Sequence, residues 1–75
     1  MDISEVHLAL LLRLQRGPVT FSGVETADEQ LGMLQLYTLK LVVQVTNRKK
    51  RGAMEWHLTV EGERTLRRLI QSRDT

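Results

Sequence analysis

Cysteine is missing from this chain altogether, which excludes disulfides and thiolate metal sites. Histidine is nearly missing. His7 and His57 lie in separate segments and form no ligand cluster, so neither a metal nor any other cofactor is expected. Long apolar runs are absent too. The longest, Leu8 to Leu12, falls far short of the roughly 20 residues that span a bilayer. The opening residues, Met1-Asp2-Ile3-Ser4-Glu5, carry acid where a signal peptide carries base. A chain without cysteine also fits a reducing compartment. The expected location is therefore intracellular and cytoplasmic, with no membrane span. Catalytic signatures are equally scarce. There is no glycine-rich phosphate loop, and Ser4, Ser22 and Ser72 are expected to have no histidine partner. An enzyme is not expected.

What is present suits one small domain over residues 1–75. Hydrophobic residues make up 41% and charged residues 27%, an ordinary balance for a globular core with a solvated surface. A domain this small buries only about 60% of its unfolded surface. With disulfides and metal excluded, oligomerisation is the remaining support. The net charge of +2 is a mild bias toward polyanions.

The first element is predicted to be a helix. Asp2 with Glu5 has the spacing of a capping box, and Ile3, Val6 or His7, Leu10 and Leu14 recur at helical intervals. Arg13 and Arg16 suit its C-terminal end, with Gly17 at a left-handed C′ position and Pro18 stopping it. Leu8, Leu11 and Leu12 widen the apolar stripe, so this helix must be wrapped by the domain or by a partner. Val19-Thr20-Phe21 reads as a short strand and Ser22-Gly23 as a turn. Thr26 to Glu29 is a second capping box, opening a helix that runs to about Lys40. Gly32 inside it marks a break or a close backbone approach. Leu31, Leu34, Tyr37 and Leu41 fall on one side of this segment, and Met33, Leu36 and Leu39 largely elsewhere.

Leu41 to Thr46 is β-branched, Asn47 to Gly52 is a basic turn, and Met54 to Thr59 alternates. Met54, Trp56 and Leu58 are expected inward, with Trp56 as core anchor, and Glu55, His57 and Thr59 outward. A final helix from Thr59 or Val60 carries the stripe Leu66, Leu69 and Ile70. It is expected to fray over Gln71 to Thr75. Leu39-Lys40-Leu41-Val42, a basic tip, and Trp56-His57-Leu58-Thr59 leading to Gly62 and Leu66 together resemble the second half of winged-helix regulators. The resemblance spans residues 1 to about 70 in element order and 39 to 66 in residue pattern. It implies an α+β winged-helix (winged helix-turn-helix) domain, in the order helix, short strand, helix or helices, hairpin wing, helix. In its exit from the wing, Leu58 packs inward, Thr59 caps the last helix and Gly62 permits close packing. The stand-alone size is similar to that of small regulators of phages and mobile elements. One departure stands out. Only about twenty residues separate Phe21 from Leu41, where the family places a support helix and a recognition helix.

Two functions stay open, and the first is preferred. As a dimeric transcriptional regulator, the chain would set Arg48, Lys49, Lys50 and Arg51 against the phosphate backbone of duplex DNA. Gln30, Gln35, Thr38 and Lys40 would meet the groove. Arg64, Arg67, Arg68 and Arg73 would widen this footprint or form a solvated helix side, while Asp28 and Glu29 repel phosphate. Alternatively, the fold is a protein–protein interaction module, such as a phage-type inhibitor or adaptor of a host protein. Leu8, Leu12, Leu36, Tyr37 and Leu39 would be its contacts, being more than one small core holds. Leu31, Leu34 and Leu41 are then assigned to the core, and His7 to a helix boundary. A homodimer is expected.

Overall fold

Three helices and a two-stranded antiparallel hairpin make up an α+β fold. The structure, a computed structural model, describes residues 3–47, 49 and 53–73, and of Asn47 and Arg73 the backbone alone. Helix α1 spans Glu5–Arg16, α2 Ala27–Thr38, β1 Val42–Asn47, β2 Ala53–Leu58 and α3 Val60–Arg73. The strand expected at Val19-Thr20-Phe21 shrinks to one bridge. Val19 exchanges both backbone bonds with Trp56, at 3.1 and 2.7 Å. The chain then turns away, and the Glu25 carboxylate accepts from the N–H groups of Ser22 and Gly23 in that turn.

Helix α1 starts from a different cap than the one expected. Asp2 lies outside the described residues. Ser4 is the N-cap, and His7, not an acid, completes the box by accepting from the Ser4 N–H at 3.0 Å. Gly17 is itself the C-cap, with φ 153° and ψ 172°, and not a left-handed C′ residue. Its N–H bonds the Leu14 carbonyl at 3.1 Å. The domain supplies the wrapping that the broad apolar stripe requires: His7, Leu8, Leu10, Leu11 and Leu14 are all buried, against α2, α3 and β2. Only Ala9 and Leu12 among its apolar residues are exposed.

Helix α2 is one unbroken helix, opened by the expected Thr26–Glu29 box. Gly32 marks close approach: a Cβ there would lie 3.1 Å from both Leu10 Cδ1 and Val6 Cγ1 of α1. That contact fixes the inward face as Gly32, Met33 and Leu36. The opposite assignment of the leucines is thereby corrected. Leu36 is fully buried, whereas Leu31 and Leu34 are 55% and 57% exposed. Each fully buried leucine stabilises the fold by about 2 kcal/mol. The helix ends in a Schellman motif, with Leu41 N–H to Leu36 C=O at 3.0 Å and Lys40 N–H to Tyr37 C=O at 2.9 Å. Lys40 occupies the left-handed C′ position, at φ 63°.

The hairpin pairs Val42 with Leu58, Gln44 with Trp56 and Thr46 with Met54 on its inner face. Val42 and Trp56 are buried and Leu58 is half-buried, but Gln44, Thr46 and Met54 run out beyond the core into solvent. Thr59 joins three elements: its hydroxyl donates to Lys40 C=O at 2.8 Å and accepts from Gly62 N–H at 3.0 Å. Its own N–H bonds Leu41 C=O at 3.1 Å. Gly62 is required here, because a Cβ would overlap the Leu41 carbonyl oxygen. Leu66 of α3 completes the core, with Leu69 and Ile70 packed at its margin.

Candidate functional site

Because Gly32, Met33 and Leu36 face α1, the other side of α2 is left to solvent. It carries Leu31, Leu34 and Tyr37, the last 50% exposed. Their spacing of three residues sets them along one face of the helix. Beside Leu34 lies a hollow of about 410 Å³, lined by Phe21, Gly23, Glu25, Gln30, Leu34, Gln44 and Trp56. Trp56 is its aromatic floor. The Tyr37 ring meets Trp56 edge-on at 6.0 Å, and the Phe21 ring lies tilted at 6.4 Å. Such contacts hold the aromatic side chains in fixed orientations beside the leucine stripe.

One acid, Glu25, stands at the rim of this hollow. Glu25 accepts hydrogen bonds from Ser22 N–H at 2.8 Å and Gly23 N–H at 2.9 Å. Those bonds, the Ser22 N–H foremost, hold the Glu25 carboxyl below its ordinary pKa. Asp28 and Glu29 follow in the first turn of α2, and the helix has no basic residue. Glu29 reaches back to Arg13 of α1 at 3.3 Å, tying the two helices at their exposed side.

The residues expected to meet a DNA groove do not converge. Gln30 is exposed, with its Nε2 donating to Glu25 C=O at 3.2 Å. Gln35 points toward α1 and its Oε1 lies 2.7 Å from His7 Nε2. Thr38 Oγ1 donates to Leu34 C=O at 3.0 Å. Lys40 is exposed beyond the helix end. Of the expected basic tip, Lys49 is exposed, while Arg48, Lys50 and Arg51 lie outside the described residues. Arg64 pairs with Glu61 at 3.4 Å.

The expected protein-contact residues divide. Leu12, Tyr37 and Leu39 are exposed, but Leu8 and Leu36 are core residues and offer no surface. Leu31 and Leu34, which were assigned to the core, are exposed instead. The signal that could have found them is Gly32: a glycine within a helix marks the side where another backbone comes close. His7 is buried, not a boundary residue, and Ser4 does have a histidine partner, its Oγ 2.9 Å from His7 Nδ1. That pair is occupied in capping α1. Among the described residues no cluster could hold a metal ion, and no helix is long and apolar enough to cross a membrane. No protein-family model, no curated protein and no solved structure matches the chain.

Proposed function

We propose that this chain is a winged-helix-like protein-interaction module that holds its partner on the outward face of α2. The observation that carries this reading is the stripe Leu31, Leu34 and Tyr37, half or more exposed on a helix without a single cation. Exposed apolar groups grouped in this way favour a macromolecular contact. The winged-helix part rests on the element order, on Val19 bridging β2 beside the hairpin, and on the Thr59–Gly62 exit. In such a fold, α2 stands where a recognition helix stands. A helix made to enter a DNA groove needs cations and free polar side chains. Here it presents leucines, a tyrosine and Asp28, with Gln30, Gln35 and Thr38 engaged within the chain. Glu25 at the rim of the hollow and Asp28 in the first turn of α2 fit a partner surface that is apolar at its centre and basic at its edge.

The test compares three proteins in affinity capture from lysate of the source cells. They are the native chain, Leu31→Glu with Leu34→Glu, and Lys49→Ala with Lys50→Ala. A single protein retained by the first and third, and lost from the second without loss of helical circular dichroism, supports the reading. Salt-sensitive binding of mixed-sequence duplex DNA, abolished by the lysine changes and indifferent to the leucine changes, overturns it in favour of a DNA-binding regulator.

A further inference from the structure

The outer edge of β1 is open, and its backbone polarity can be read from the other side of the hairpin. Trp56 spends both its N–H and its C=O on Val19. Its partner across the ladder, Gln44, is therefore in a non-hydrogen-bonded pair. The N–H and C=O of Gln44 consequently point away from β2, and by alternation so do those of Val42 and Thr46. The bond from Thr59 N–H to Leu41 C=O fits this parity, since Leu41 belongs with the residues that face inward along the ladder. Among the described residues no strand pairs with the outer edge. From Val42 to Thr46 there is no proline, glycine, bulge or charged side chain of the kind that guards an edge.

We propose that β1 pairs antiparallel with β1 of a second copy, about a two-fold axis through Gln44. The segment is self-complementary about that point. Gln44 meets its own counterpart in a hydrogen-bonded pair, and Val42 meets Thr46 at both ends. All three residues direct their free backbone groups to this edge. On the outer face, Val43 then lies opposite the second copy's Val45. These side chains are 40% and 44% exposed in the single chain, and the pairing covers both. A dimer of ordinary stability buries about 800 Å² on each partner, more than one short strand supplies. The remainder lies alongside. A largely apolar hollow of about 490 Å³, lined by Tyr37, Thr38, Lys40, Val42, Val43 and Thr59, adjoins the end of the edge where the second copy's Val45 and Thr46 arrive.

Sedimentation equilibrium across a concentration series, with amide exchange on the same samples, tests the proposal. The native chain should show a monomer–dimer equilibrium in which the amides of Gln44 and Thr46 become protected as concentration rises. Those of Val43 and Val45, bonded within the hairpin, should be protected throughout. Gln44→Pro removes a donor that the hairpin does not use, and should raise the dimer dissociation constant about a hundredfold. Val45→Lys, on an exposed side chain, should weaken the dimer in the same direction if the proline disturbs the strand. Leu31→Glu with Leu34→Glu should leave the dimer intact, so this inference and the proposed partner face fail separately. A chain that stays monomeric up to about 1 mM overturns the pairing. So does a dimer indifferent to both edge variants, or one whose Gln44 amide stays open.

Discussion

At the scale of single residues, His7 connects the start of α1 to the middle of α2. Its Nδ1 accepts from Ser4 N–H, so the ring proton sits on Nε2, facing Gln35 Oε1 at 2.7 Å. One buried side chain thus completes a helix cap and crosses a helix–helix contact. A double-mutant cycle on His7→Ala and Gln35→Ala should give a coupling of about 1 kcal/mol in chemical denaturation. Nitrogen chemical shifts should report the Nε2–H tautomer. Glu25 makes a second residue-scale prediction. Its pKa is lowered in the folded chain by the Ser22 N–H and its neighbours, so the bonds to the carboxylate favour folding above the unfolded-state pKa. They are lost as pH falls through the lower, folded value. Acidification should therefore release the Ser22 and Gly23 amides to exchange before the helices melt. Glu25→Ala should release them at all pH values.

Elements differ in how far the bare sequence exposed them, and α2 shows why. Its N-terminal boundary was legible, because Thr26 and Glu29 state the N-cap. Its orientation was not. Leu41 lines up with Leu31, Leu34 and Tyr37 only if the helical period continues through Lys40. In the structure Lys40 turns left-handed and sends Leu41 into the core independently of that stripe. A period extended through a helix end assigned Leu31 and Leu34 to the core and left Leu36 as a contact candidate. The junction of the hairpin and α3 escaped this error, because Thr59 and Gly62 fix it through local chemistry visible in the residue types, whereas the alternation expected Met54 inward and it is exposed. Two changes test that junction. Gly62→Ala should cost about 3 kcal/mol, since the added carbon meets backbone oxygen, which cannot move aside as a side-chain end can. Lys40→Gly should stabilise by about 0.5–1 kcal/mol, by relieving a left-handed lysine at the Schellman position. Both are read from denaturant midpoints.

At the scale of the molecule, the body measures 44 × 25 × 20 Å, and Thr46 and Met54 of the hairpin lie outside the core. The two proposed surfaces lie beside each other: the exposed leucine face of α2 and the edge of β1 that no described strand pairs with. Neither supports the core, so Leu31→Glu with Leu34→Glu should change stability by no more than about 0.5 kcal/mol at each site. Both surfaces adjoin Tyr37, so the two proposals would set a second copy and a partner protein next to one another without overlap of their central residues. The most direct measurement for the partner face is site-specific photo-crosslinking in the source cells, with the reactive residue at position 34 and a control at position 68 on α3. The account predicts one discrete adduct with another protein from position 34, absent from position 68 and abolished by Leu31→Glu. Equal adducts from both positions, or none from position 34 while crosslinks to DNA form, would contradict it.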